Sequence, residues 1–144
     1  MATNGNDHAP QSLRSELART LLALADPIRL RMLNLMFAGE LPPEEFAQIL
    51  GVNEKIISRH LVLLRESRIV AMRTKRNVKF YTVRDEVECP HIRLLRLAIE
   101  LLEDDSVLNA DARVFHAVHQ MVPQCQQDDE DQHSNPIEIT RLAL

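Results

Sequence analysis

The chain has 144 residues, with 17 lysines and arginines against 21 aspartates and glutamates and a formal net charge of −4. This length fits one ordinary domain, and an apolar fraction of 45% suffices for a packed core. No apolar run is long enough to predict a transmembrane helix, the polar N-terminus does not resemble a secretory signal, and two distant cysteines exclude a disulfide scaffold. We therefore expect a cytoplasmic protein with reduced thiols and no membrane association.

Positive charge is concentrated in residues 53–84, which hold nine basic and two acidic side chains and so carry +7. Residues 1–52 carry −2, and residues 85–144 carry −9. Because clustered lysines and arginines displace condensed counterions from nucleic acid, the basic block is a candidate phosphate-binding surface. A solvated helix face followed by an exposed hairpin is the alternative interpretation.

The first elements are predicted to be helices. Residues 1–11 are polar and predict a disordered leader. Ser12 precedes leucines at helical spacing and predicts the N-cap of a first helix. Asp26 and Pro27, a capping residue and a first-turn proline, predict the start of a second, mostly buried helix that ends near Gly39.

Two further helices are predicted around a short turn. Pro42 and Pro43 open a short third helix that ends at Gly51, and Asn53 caps a fourth helix only two residues later. Two helices joined by so short a turn at a glycine form a helix-turn-helix.

After the fourth helix the pattern changes to that of strands. Residues 71–75 and 78–83 alternate in the way strands do, and they flank Arg76 and Asn77. Asparagine tolerates the left-handed backbone that a tight hairpin turn needs. The expected fold is therefore mainly α with a β-hairpin wing, a winged helix-turn-helix.

A long helix is predicted to begin at Pro90. It is apolar nearly all round, so a small domain cannot bury it alone. We expect a homodimer that forms through this helix and the first one. The expected domain covers residues 12–107, followed by a C-terminal helix over 108–122 and an acidic, flexible tail over 123–144.

Three segments resemble the arsenic-repressor (ArsR) family of winged-helix regulators: LLALADPIRLRMLNLMFAGE, FAQILGVNEKIISRHLVLLRESRIV and RTKRNVKFYTV. The resemblance spans roughly Leu13 to Leu102. It implies a homodimeric bacterial repressor that binds a palindromic double-stranded DNA operator and leaves it when an effector binds. Arg68 stands where the family often has glycine, so either an arginine is left-handed there, at a cost of about 1 kcal/mol, or the turn differs.

The fourth helix is the expected recognition helix, whose N-terminal residues meet base edges in the major groove. Arg59 is predicted to contact a guanine, Ser58 a base or phosphate, Lys55 a phosphate and Ile56 a thymine methyl group. Asn53 is a further candidate DNA contact, although it is first of all the N-cap of this helix. On the wing, the predicted contacts to phosphate or the minor groove are Arg73, Lys75, Arg76 and Lys79.

The effector site is less well defined by the sequence. Many family members carry a Cys-Val-Cys motif on the third helix, but Pro42 and Glu44 occupy the two cysteine positions here, so that thiolate site is absent. A second family site lies on the long helix, and Cys89 and His91 match only half of it. Cys125 is a candidate third ligand. The alternatives to Cys125 are His116 and His119.

Three interpretations of regulation remain open from the sequence. In the first interpretation, Cys89 and Cys125, with His91, bind a soft metal or metalloid such as arsenite, antimonite or a soft divalent ion. Alternatively, oxidation links the two thiols, or the protein senses nothing.

An enzyme is not expected, because the chain has no nucleophile elbow, complete metal-ligand spacing or phosphate loop. The functional alternative to a repressor is a winged-helix protein-interaction module without sequence-specific DNA binding.

Overall fold

The computed structural model describes the backbone of residues 8–85 and 89–120, and the side chains from Leu13 onward. The elements in chain order are α1 (His8–Leu24), α2 (Pro27–Ala38), α3 (Pro43–Leu50), α4 (Glu54–Glu66), β1 (Val70–Lys75), β2 (Val78–Val83), α5 (Pro90–Glu100) and α6 (Ser106–Gln120). The predicted fold, helices with one β-hairpin, is confirmed.

The N-terminal boundary differs from the sequence prediction. Helix α1 begins at His8, so Ser12 lies inside the helix and is not its N-cap. The predicted leader therefore overlaps α1 over residues 8–11, and its remaining part, residues 1–7, lies outside the described residues. The start of α2 is as predicted: the Asp26 carboxylate accepts a hydrogen bond of 3.0 Å from the Arg29 amide.

The helix-turn-helix is formed by α3 and α4. Gly51 ends α3 with φ +66°, the left-handed conformation that glycine adopts without strain. Two residues later the Asn53 side chain accepts a hydrogen bond of 2.9 Å from the Lys55 amide and caps α4. Helix α4 buries one stripe, Ile57, Leu61 and Leu64. This leaves its polar N-terminal residues on the opposite, exposed side.

Strands β1 and β2 form the wing, an antiparallel hairpin in register from Val70 and Val83 to Lys75 and Val78. Arg76 and Asn77 make the two-residue turn with φ +47° and +66°, as in the turns that suit hairpin twist. Before the wing, Arg68 has φ +63°, so this residue does adopt the left-handed backbone. The turn that follows α4 therefore keeps its shape despite the arginine.

The segment between α2 and α3 pairs with the wing. The Tyr81 amide donates to the Leu41 carbonyl at 2.9 Å, and the Leu41 amide donates to the Tyr81 carbonyl at 3.2 Å. This single bridge places the residues around Leu41 along the edge of the hairpin.

The core lies between α2 and the elements around it, and α6 closes one side. Arg31 on α2 donates two hydrogen bonds to Asp111 on α6, from Nε to Oδ2 at 2.6 Å and from Nη2 to Oδ1 at 2.8 Å. The Asp111 carboxylate raises the pKa of Arg31 through this hydrogen bond. The Phe115 ring packs against Gly39, where an added Cβ would lie 3.0 Å from the ring. Helix α6 is thus attached to the domain by both polar and apolar contacts.

Several large apolar side chains remain exposed on α1, on α5 and at the residue that follows α5: Leu13, Leu17, Leu21, Leu22, Leu97 and Leu101. An exposed set of this kind marks a surface that is available for association. In the part of the chain that the structure describes, no helix combines the length and apolar character needed to span a membrane.

Candidate nucleic-acid interface

The N-terminal half of α4 presents the predicted DNA-contacting residues to solvent. Lys55, Ser58 and Arg59 are exposed, and so is Ile56, with 40% of its surface accessible. Because Ile57 faces the core from the same turn, the helix is held with this side outward. The exposed surface combines two cations, a hydroxyl and an apolar group, which is the chemistry needed to contact phosphates, base edges and a thymine methyl group.

The four cations predicted to contact DNA from the wing lie on different sides of the hairpin. Successive strand residues point to opposite faces, so Arg73 and Lys75 share one face of the hairpin and Lys79 lies on the other, while Arg76 lies in the turn. All four side chains are exposed. The Lys75 ammonium lies 5.9 Å from the centroid of the Phe80 ring. The wing therefore offers cations on both faces and at its tip, rather than in a single row.

Glu40 is a functional candidate that the sequence analysis did not identify. Its carboxylate forms an ion pair with Arg73, and Oε2 lies 3.8 Å from the Lys75 ammonium. The bridge between Leu41 and Tyr81 brings this carboxylate to the wing. No pattern in the sequence signals this pairing, because it depends on a contact between residues that are far apart in the chain.

Arg29 also has a role that the periodicity does not reveal. Its guanidinium donates to the carbonyls of Leu22 and Ala23, each at 2.8 Å, at the C-terminal end of α1. Its Nη1 also lies 3.4 Å from Nδ1 of His60 on α4. One side chain on α2 thereby contacts both the end of α1 and α4.

The candidate effector residues lie at the start of α5. Cys89 is half-buried, packs against the core and is a free thiol. His91 is hydrogen-bonded through both ring nitrogens, with Nδ1 at 3.2 Å from the Thr20 hydroxyl and Nε2 at 3.2 Å from a Glu16 oxygen. In residues 8–85 and 89–120 the structure brings together no group of three or more potential metal ligands. Cys125, the third predicted ligand, lies outside the described residues.

The two histidines on α6 lie apart from that site. His119 packs on the Phe115 ring with 4.1 Å between ring centroids, and its Nε2 lies 3.6 Å from a Glu45 oxygen on α3. His116 is exposed. Within the described residues, His119 therefore contacts α3 and not the start of α5.

The comparisons with known proteins identify the helix-turn-helix. Residues 26–71 match the model of the bacterial regulatory proteins of the arsR family. A biofilm growth-associated repressor of Xylella fastidiosa is 37% identical over 65 residues, which are 45% of this chain and 55% of that protein. The chain thus spans about half the length of the curated relatives it matches.

Solved structures share the fold. The transcriptional repressor BigR from Xylella fastidiosa superposes with a TM-score of 0.56 at 25% identity, covering 70% of this chain and 97% of that one. The homodimeric winged helix-turn-helix DNA-binding domain Mb0332 of Mycobacterium bovis gives a TM-score of 0.57 at 26% identity, covering 81% and 95%. Residues 26–71 thus match the helix-turn-helix of the arsR family of bacterial regulatory proteins, and the described part of the chain shares the winged-helix fold of these solved structures.

Proposed function

We propose that the protein is a cytoplasmic, homodimeric transcriptional repressor that binds an operator in double-stranded DNA through α4 and the wing. The observation that carries this proposal is that Arg59 and its neighbours on the N-terminal half of α4 are exposed, as are the four cations of the wing. Two similar proteins, a biofilm growth-associated repressor and the transcriptional repressor BigR, support the same assignment.

The residues divide into two kinds of contact. Arg59 has the planar, two-pronged donor geometry that suits guanine O6 and N7, and Ile56 suits a thymine methyl group. Lys55, with the wing residues, supplies charge to phosphates, which positions the protein without reading sequence. Asn53 caps α4 with its side chain, so its contribution is to hold the first turn of the helix in place.

Dimerisation would use Leu13, Leu17 and Leu21 of α1 together with Leu97 of α5. Packing these leucines against a second copy of the chain removes apolar surface that the single chain leaves exposed to water. The Mb0332 domain, which has the same fold, is a homodimer. A two-fold dimer presents two copies of α4, and half-sites about one helical turn apart, roughly 34 Å, would receive them.

Regulation by an effector at Cys89 stays a prediction from the sequence. Binding of arsenite, antimonite or a soft divalent metal by Cys89 with Cys125 and His91, or oxidation of the two thiols, would act at the start of α5. The hydrogen-bond partners of His91 lie on α1. Any ligand that draws the imidazole away must therefore break its contacts with Thr20 and Glu16.

The direct test is a selection from random DNA duplexes with the purified full chain. We expect enrichment of a palindrome with two half-sites, and loss of the enriched bases at one position of each half-site when the Arg59→Ala variant is used. The Arg113→Ala variant, altered at an exposed position on α6, is the control and should select the wild-type sequence. If no sequence is enriched, the protein-interaction module is the better description.

A further inference from the structure

A cavity of about 570 Å³ lies between α1, the start of α2 and the last turn of α4. Leu22 and Leu63 contribute apolar walls, although they remain 68% and 48% exposed. The volume falls within the range of small-molecule sites, roughly 300–1,000 Å³. Two large apolar side chains lining one open cavity indicate room for an apolar group of a ligand.

The remaining lining is strongly cationic. Arg19, Arg29 and Arg68 line the cavity together with one carboxylate, Glu66. Arg29 is committed to main-chain carbonyls of α1 and forms part of the wall. Arg19 has no ion-pair partner within the described part of the chain. The side chain of Arg68 is 70% exposed, and its guanidinium lies 4.0 Å from a Glu16 oxygen. Arg19 and Arg68 thus line the same cavity, and the planar geometry of a guanidinium group suits a carboxylate.

The backbone conformation of Arg68 is a second indication that the cavity is a ligand site. At φ +63° a glycine would be unstrained, whereas an arginine lowers the equilibrium constant for folding about fivefold, the equivalent of about 1 kcal/mol. Strained positions of this kind cluster at ligand sites, where the side chain they carry has a use. Here the strained residue brings a guanidinium to the cavity.

We propose that this cavity binds an amphipathic carboxylate, of the class of medium-chain fatty acids. The carboxylate lies between Arg19 and Arg68, and the hydrocarbon chain packs against Leu22 and Leu63. The site is separate from Cys89. Its use as an effector site rests on the proposed function, because the ligand would contact the last turn of the recognition helix. Ligand binding itself does not depend on DNA.

The test is calorimetric titration of the full chain with octanoate in the absence of DNA. We expect one octanoate per chain. Acetate lacks the chain and 1-octanol lacks the carboxylate, so each should bind at least about tenfold more weakly. Because DNA is absent, failure of this titration and failure of operator selection are separate results.

Two variants locate the site. Arg19→Gln and Arg68→Gly should each weaken octanoate binding about tenfold, while Arg113→Gln on α6 should not change it. Arg68→Gly also removes backbone strain, so its melting temperature should rise, and loss of binding in that variant is not unfolding. The proposal is overturned if octanoate and 1-octanol bind equally, or if neither arginine variant changes the affinity. It is also overturned if the wild type binds no octanoate. If Arg68→Gly then also turns a dimer into a monomer, a second copy of the chain occupies the cavity.

Discussion

The guanidinium of Arg73 on the wing is paired with the carboxylate of Glu40, which lies in the segment between α2 and α3. The same carboxylate approaches the Lys75 ammonium at 3.8 Å. A single acidic side chain therefore offsets two of the cations expected to meet phosphates. In the proposed complex with DNA, this carboxylate competes with phosphate for Arg73 and Lys75.

Replacing Glu40 by glutamine should strengthen DNA binding. The exposed ion pairs are weak, so we expect a rise in affinity of up to about fivefold at low salt. The slope of log affinity against log salt should steepen by about one unit for each additional phosphate that the wing neutralises. Fluorescence anisotropy titrations over a range of salt concentrations measure both quantities.

Glu44→Gln is the matched control, because Glu44 is an exposed carboxylate on α3 and no ion pair with the wing is seen for it among the described residues. It should leave both the affinity and the slope close to the wild-type values. Equal effects of the two substitutions would mean that only the overall charge matters, and not the pairing with Arg73.

The cap of α2 makes stability depend on pH. Burial would raise the pKa of Asp26, but the Arg29 amide and the charges of His60 and Arg29 together hold it below its ordinary value. Because the folded state favours the carboxylate, this stabilisation is complete above the ordinary pKa and is lost as the pH falls through the lowered one.

Asp26→Ala should therefore lower the free energy of unfolding by about 1 kcal/mol at neutral pH. Asp26→Asn keeps an acceptor for the Arg29 amide and should cost less. In urea denaturation, the deficit of either variant should shrink towards about pH 3 and below, as the wild-type carboxylate becomes protonated. A deficit that grows on acidification would contradict the assignment.

The bidentate contact between Arg31 and Asp111 should be the main polar attachment of α6. Asp111 is only 4% exposed, so Asp111→Ala leaves the Arg31 guanidinium without its carboxylate and should cost about 2–3 kcal/mol in urea denaturation. The double variant Arg31→Met/Asp111→Leu should recover much of this loss, because it removes both charges. If the loss of stability in the double variant equals the sum of the losses in Arg31→Met and Asp111→Leu measured singly, the pair does not act as a unit.

Dimer formation can be tested on the exposed leucines. Leu17→Glu on α1 and Leu97→Glu on α5 place a charge on surfaces that are about half exposed in the single chain, so the fold should survive. We expect each variant to sediment as a monomer and to lose high-affinity binding to a two-half-site operator. Val114→Glu, at a similarly exposed site on α6, should stay dimeric.

The helices around the helix-turn-helix could be predicted because their signals are local. Asp26, Gly51 and Asn53 act as end signals within one or two residues of the helix they bound, and their roles in the structure are those predicted. The predicted start of α1 at Ser12 is wrong. Pro10 lies in the first turn of the helix that begins at His8, and a proline is tolerated there because its missing amide would have no partner.

The contacts around the candidate site could not be predicted, because they join residues that are distant in sequence. Glu40 reaches the wing only through the bridge of Leu41 to Tyr81, and His91 reaches Glu16 only because α5 packs on α1. The sequence leaves open whether Arg68 strains or alters its turn, and only the folded backbone shows that the left-handed turn is kept. Periodicity carries no information on such pairings.

The central claim is that α4 reads bases while the wing binds phosphates, and one measurement tests it most directly. Anisotropy titrations across salt should compare the selected operator with a duplex of scrambled half-sites, using the wild type, Arg59→Ala and Lys79→Ala. We predict that Arg59→Ala loses about 1–3 kcal/mol of preference for the operator, whereas Lys79→Ala weakens both duplexes alike and flattens the salt slope by about one unit. Unchanged binding to both duplexes by both variants would contradict the account.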